Sequence, residues 1–404
     1  MNRHIVHLDL DTFFVSCERL LDRRLKQLPV LIGGTGDRGV VASCSYETRQ
    51  FGVHSGMPMK MARVLCPGAV VIRGNSGVYS KFSDMVTDII KEKSPLFEKS
   101  SIDEFYVDVT GMDQFYGCYD WAKELREKII RETMLPISFG LSINKTVSKV
   151  GTSEAKPNNF IQIPDGEEKR FLAPLSVKKI PMVGAQTYQL LRSMGIEKVK
   201  TVQEMPVELM ESVLGKNGIS LWKKAQGIDN SPVVAWNERK SISMERTFEK
   251  DSTDVVKIKS ILISMAENMS FQLRGGNKLT ACVSIKIRYS DFQTYSKQRI
   301  IPYTSLDQTL IKTTIDLFDQ LYQRRVLIRL IGVRFSHLTG GTYQMRLFED
   351  SEKLIRLYQS MDYVRKRFGG QAVKRAVTLG VKSIGGGHDP FNGQPTEIPA
   401  HRRV

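Results

Sequence analysis

The chain has 404 residues, more than one hydrophobic core usually serves, so two to four domains are expected. Lys and Arg number 59 against 43 Asp and Glu, and the net charge of +16 calls for a polyanionic partner, with nucleic acid, ribosome and anionic membrane equal on charge alone. No apolar run reaches spanning length, Met1 to Asp11 holds no signal-like region, and the five cysteines lack paired spacing; a cytoplasmic protein without disulfide framework or zinc site is expected.

In chain order, His4 to Glu18 comes first, reading HIVHLDLDTFFVSCE. Val6, Leu8 and Leu10 alternate with His7, Asp9 and Asp11, the period of a strand with one buried face. An acidic pair falls on the other face, where crowded carboxylates are costly unless a cation neutralises them. A solvated strand tip and a metal site both account for it. Thr12 to Asp22 reads as a short amphipathic helix, and Pro29 to Ile32 as a strand ending in Gly33-Gly34. In Ala42 to Arg49, a helix would present Tyr46 and Arg49 on one face. An Arg fork beside a phenol suits a triphosphate, and a surface Arg beside a half-buried Tyr is the plainer account.

A strand at Ala69 to Ile72 and a helix from about Gly77 to Lys91 lead to a second acidic cluster. Lys99 to Ser101 form a turn, and a strand from Glu104 to Val109 follows Asp103. Carboxylates from separate strands suit Mg²⁺, and two such ions can clamp both oxygens of a phosphoryl transfer. Asp103 and Glu104 would point to opposite faces of an ideal strand, so both reach a metal only where the backbone bends. A helix around Tyr119 to Arg131 and a strand at Ile137 to Leu141 continue an alternation that suits a ferredoxin-like palm. Asn144 then caps a helix on which Lys145, Lys149 and Lys156 share one stripe.

These motifs resemble those of the Y-family translesion DNA polymerases of the DinB type, with a Gram-positive UvrX-like branch left open. HLDLDTFF resembles the first metal motif, SIDEFYVDVT the second, SYETRQFGVHSGMPM the fingers signature, and EAKPNN the AKPNG motif. The resemblance implies two Mg²⁺ ions held by Asp9, Asp103, Glu104 and the Leu10 carbonyl, with Asp103 and Glu104 as the catalytic pair. It implies triphosphate contacts from Ser43, Tyr46, Arg49 and Lys156, and a roof at Ser55 and Gly56. Phe14 falls at the steric gate, where an aromatic ring would clash with a ribose 2′-OH. Phe105 departs from the family's small residue after Asp-Glu. Lys145 and Lys149 are candidates for the DNA backbone.

A boundary follows Pro164-Asp165-Gly166, and Phe171 to Pro232 reads as helical. Ile180 to Gly184 resembles the thumb hairpin turn, implying DNA phosphate contact at Val183 and Gly184, with Met182 in place of the usual first glycine. Leu279 to Tyr289 alternates cleanly and would bury one face on helices such as Val256 to Leu273 or Leu306 to Tyr322. Ser243 to Phe248, Tyr289 to Phe292 and Leu327 to Phe335 resemble little-finger strands, with Lys286, Arg288, Lys297, Arg299, Arg329 and Arg334 the basic side chains available to DNA. Gln344 to Phe348 reads QMRLF and resembles a sliding-clamp peptide anchored by Gln344, Leu347 and Phe348. After it come one amphipathic helix to about Phe368 and a tail expected to be largely flexible.

The fold class expected is α+β and multidomain, a right-hand polymerase: palm at residues 1–10 and 74–165, fingers at 11–73, helix-hairpin-helix thumb at 166–237, linker at 238–240, α/β little finger at 241–348 and tail at 349–404. The function implied is monomeric, low-fidelity, template-directed DNA synthesis with primer-template DNA, dNTP and the sliding clamp as partners. A catalytically silent relative and a nucleotide cyclase are the competing readings. A cyclase has no need of the basic little finger, and a silent relative predicts loss of the carboxylates that are present.

Overall fold

The computed structural model describes residues 3–112, 117–236, 238–324, 326–341, 351–370 and 372–381. They belong to two compact units, Met1–Asn237 and Glu238–Thr396.

In the first unit a five-stranded sheet runs in the order Leu96–Lys99, Glu104–Asp108, Ile5–Leu10, Ile137–Ser142, Phe160–Gln162. The one-sided first strand expected from alternation is corrected here. Ile5–Leu10 is central, antiparallel to both neighbours, and even His7 is fully buried. Helices Ser76–Lys93 and Cys118–Thr133 supply Val86, Ile90, Leu125 and Ile129 to a core with Val6, Leu8 and Leu10. Helix Lys145–Ala155 closes on His7, whose Nδ1 lies 2.9 Å from Thr152 Oγ1. That helix sits close because Gly140 has no side chain: a Cβ there would collide with the Ser148 and Thr152 backbone. Phe105 is fully buried in the same core, so the departure is absorbed by packing. Leu96–Lys99 was not expected as a strand, since Glu98 and Lys99 disguise it as part of the turn.

Strands Val41–Cys44, Val30–Gly33 and Val70–Ile72 form a second, small sheet. Four helices from Ala185–Ser193 to Lys216–Ala225 pack around Val177, Leu191, Val202 and Leu221. Met182 takes φ 86°, the left-handed region that glycine enters without cost, and is 65% exposed. The segment leaving these helices is strapped to the first sheet. Asn144 donates to the Gly227 carbonyl, Thr146 to Asp229, and the Val234 N–H to Glu98. Val233 is buried with Ile5 and Tyr106.

The second unit holds a four-stranded antiparallel sheet, Thr294–Thr304, Lys278–Tyr289, Ile328–Gly340, Ser241–Ser252, in that order. Val283, Ile285 and Ile287 pack on helices Val255–Gly275 and Asp307–Leu321. Tyr289 to Phe292 is not a strand but the turn of a hairpin, closed by the Tyr289 N–H on the Gln293 carbonyl. Thr294–Thr304 escaped the sequence reading because it is an edge strand, mostly exposed and without apolar alternation. The one amphipathic helix expected in the tail, ending at about Phe368, is Ser351–Phe368. Helix Ser351–Phe368 is docked: Tyr358 is buried, and Asp362 accepts two hydrogen bonds from Arg274.

Candidate active site

The strand end at Asp9 and Leu10 decides the site. Thr12 takes φ 42°, a left-handed turn that joins the strand directly to helix Phe13–Leu21. Asp9 and Glu104 are cross-strand partners, and the Leu10 N–H donates to the Asp103 carbonyl at 3.0 Å. The two acidic motifs therefore meet side by side. Between the two sheets lies a cleft of about 170 Å³. Asp9, Leu10, Asp103 and Lys156 line one side, Phe14 stands at helix Phe13–Leu21, and Ser43, Arg49 and Ser55 come from the small sheet's side. Glu104 and Tyr46 stand next to this cleft rather than in its lining.

Cations answer the carboxylates. Lys156 Nζ lies 2.5 Å from Asp9 and 3.6 Å from Asp11, and Lys149 lies 2.6 Å from Glu104. Burial pushes the Asp9 carboxyl up to about 7 against the pull of Lys156, and the neighbouring Glu104 and Asp103 charges add to the rise. Lys156 is not on the helical stripe expected for it. The helix ends at Ala155, and Lys156 is its extended C-cap, which turns the ammonium toward Asp9. Asp103 Oδ1 accepts from Ser101 at 2.6 Å.

The donors at this end are hard oxygens, the set a Mg²⁺ ion requires. Among the described residues no three His, Cys, Asp or Glu side chains form a ready-made cage. A Mg²⁺ ion held here would bring further oxygen ligands with it, beside the carboxylates of Asp9 and Glu104 on adjacent strands.

Three residues make contacts that the sequence did not foretell. Tyr79, on helix Ser76–Lys93, stacks on Phe14 at 4.3 Å and 13° and donates its hydroxyl to Glu18 at 2.6 Å. Asp11 is 1% exposed and accepts from Ser138 and from the Asn158 N–H, with the Tyr46 hydroxyl at 3.4 Å. It ties the small sheet's helix Tyr46–Arg49 to the five-stranded sheet. Glu98 holds Lys145 at 2.8 Å, so that ammonium already has a partner. The signal the sequence offered was the place of Asp11 in the acidic pair at the end of the first strand.

The remaining expected contacts fall as follows. The Val183 N–H donates to the Ile180 carbonyl and the Gly184 N–H to Met182, with Gly184 capping helix Ala185–Ser193. In the second unit, Arg334 lies opposite Ser284, and Ser284 opposite Gln298, on the sheet face away from the helices. Lys286 on that face pairs with Glu245, and Arg288 donates to Thr294. Arg329 lies 4.5 Å over the Phe292 ring. Gln344, Leu347 and Phe348 lie outside the described residues.

The five-stranded sheet thus brings two acidic motifs together on adjacent strands, with the small sheet across the cleft from them. Family models agree along the chain: the impB/mucB/samB family over residues 8–153, a DNA polymerase-iota thumb domain over 178–229, and the impB/mucB/samB family C-terminal domain over 239–347. DNA polymerase IV of Dehalococcoides mccartyi is 36% identical over 386 residues, 95% of this chain and 99% of its own. DNA polymerase IV of Exiguobacterium sibiricum is 36% identical over 351 residues, 86% and 97% of the two chains. Among solved structures, a Y-family DNA polymerase chimera superposes with a TM-score of 0.73 at 24% identity, over 84% of this chain and all of that one. DinB from Sulfolobus solfataricus superposes with a TM-score of 0.58 at 25% identity, with the same coverage. The chain belongs to the DNA polymerase IV family, the DinB-type translesion DNA polymerases of the Y-family.

Proposed function

We propose that this enzyme extends a primer by transfer from dNTP at the cleft between Asp9, Asp103 and Phe14, with two Mg²⁺ ions as its cofactor. The observation that carries this reading is the side-by-side placement of the two acidic motifs beneath Arg49 and Ser43. Asp9, Asp103, Glu104 and the Leu10 carbonyl would hold the ions. Bound there, the ions would lower the pKa of the primer hydroxyl and stabilise charge on the phosphates. The chain's own share is placement. Arg49, Tyr46, Ser43 and Lys156 orient the triphosphate, and Lys156 exchanges its contact with Asp9 for phosphate oxygens as the substrate arrives. Burial and the Asp11 charge raise the Tyr46 phenol, which keeps it a hydrogen-bond donor to an anion. Phe14 excludes a 2′-hydroxyl by collision.

DNA is held, on this reading, by the basic sheet face of the second unit and the turn at Val183-Gly184. Lys145 and Lys149, both paired with carboxylates, are available to phosphate only if those pairs exchange. Gln344, Leu347 and Phe348 form a sliding-clamp peptide, and the enzyme works as a cytoplasmic monomer. No described helix is long and apolar enough to cross a membrane.

The test is primer extension with Mg²⁺ and four dNTPs, comparing the parent with an Asp103→Ala, Glu104→Ala variant, each with its DNA affinity measured. Extension lost at unchanged affinity supports the assignment. Extension retained removes both carboxylates from the chemistry.

A further inference from the structure

The C-terminal helix offers a surface that the polymerase reading does not use. Residues 353–381 carry seven Lys and Arg against one acid, Asp362. That one acid is turned inward. Asp362 is 12% exposed and sits in a fork of Arg274, whose third contact is Asp307 at 2.5 Å. Arg365 also faces in, donating to the Val373 carbonyl, and Arg375 lies 2.9 Å from Glu267. Docking the helix through Tyr358, Asp362 and Arg365 leaves the opposite face to solvent, since positions three and four apart share a face.

That outer face is cationic and aromatic. Tyr363 and Phe368 are 62% and 67% exposed, Lys366 and Arg367 are exposed between them, and Lys374 is partly so. Arg367 reaches the Tyr363 hydroxyl at 3.5 Å and lies 5.3 Å over the Phe368 ring. Two large rings stand in water without burying each other, flanked by guanidinium and ammonium groups and by no carboxylate among the described side chains of residues 353–381. We propose that this face binds single-stranded nucleic acid, its cations meeting phosphates and its rings stacking on unpaired bases. Charge complementarity selects a polyanion, and the exposed rings select a strand whose base faces are free, which a duplex hides. An anionic membrane would answer the charge. Lipid would also accept the exposed Leu357, Val377 and Leu379, but it gives the two rings among the cations nothing to stack on, and a vesicle arm of the test separates the two partners.

The full chain and a Tyr363→Ala, Lys366→Glu, Arg367→Glu variant would be titrated by fluorescence anisotropy against labelled oligothymidylate longer than about 16 nucleotides. Binding by the variant should weaken by at least about tenfold, and the slope of log affinity against log salt should fall by about 1.4, for two phosphates released. A conservative variant, Tyr363→Phe, Lys366→Arg, Arg367→Lys, should bind as the parent does. Equal affinity and slope in parent and charge-reversed variant would overturn the proposal. So would equal losses in both variants, which would mark a disturbance of the helix rather than of its chemistry. Flotation of the parent, but not the charge-reversed variant, with phosphatidylglycerol vesicles at unchanged oligothymidylate affinity would overturn it in favour of a membrane.

Discussion

Two rings hold the edge of the cleft. Phe14 is placed by the left-handed turn at Thr12, and its ring is steadied by Tyr79, whose own hydroxyl is fixed by Glu18. A gate that works by collision must not move, and a ring stacked on a hydrogen-bonded neighbour is held on two sides. Phe14→Ala should raise ribonucleotide incorporation by at least about tenfold, read by alkaline cleavage of extended primers. Tyr79→Ala should give a smaller rise in the same assay, because the gate remains but is free to turn. An unchanged ribonucleotide level in Phe14→Ala would remove the gate assignment. Phe14 was singled out in the sequence by a contiguous motif, and the structure places it in the lining of the cleft. Tyr79 was not, since its role exists only where a distant helix crosses the first one.

At the scale of elements, two junctions position the site. Helix Lys145–Ala155 carries Lys149 and delivers Lys156, and its close approach to the sheet depends on the bare Gly140. Gly140→Ala should cost about 1–3 kcal/mol, as overpacking does. It should also lower extension more than DNA binding, because it shifts both lysines from Asp9 and Glu104. The second junction is the strap from Gly227 to Val234. Burial works against the Asp229 charge, yet hydrogen bonds from Ser231 and Thr146 hold its carboxyl below the ordinary range. A lowered folded value means that the unfolded chain takes up the proton first. The stabilisation is therefore complete above about pH 4 and is lost as pH falls through the folded value. Asp229→Asn should speed amide exchange across residues 227–234 by about tenfold at pH 7. The difference from the parent should shrink on acidification below about pH 4.

For the whole molecule, the attachment of the tail helix turns on one buried charge cluster in the second unit. Arg274 is 6% exposed and bridges Asp307, fully buried, and Asp362. Removing the guanidinium strands two buried carboxylates. Arg274→Met should cost about 3–5 kcal/mol, seen as a lower melting temperature and as early proteolytic release of residues 351–381. Arg274→Met with Asp307→Leu and Asp362→Leu should recover much of that loss, because no unpaired charge is left behind. A single variant that melts with the parent would show that the tail is held by Tyr358 and its apolar neighbours alone.

The sequence by itself showed most of the elements, and pointed to the class of chemistry through the family its motifs resemble. Acidic strand ends, the Tyr46–Arg49 segment and the alternation of Leu279 to Tyr289 are local patterns, carried by spacing along the chain. Tertiary structure alone decided what each charge meets. His7 and Asp11 are buried because Ile5–Leu10 became a central strand, and centrality depends on neighbours nearly a hundred residues or more away. Lys145 and Lys149, alike as a stripe of cations, ended on Glu98 and Glu104, because strand pairing set those acids beside the helix. Periodicity records which face of an element is apolar. It carries no record of what will be brought against the other face, and desolvation, ion pairing and the direction of a pKa shift all depend on that partner.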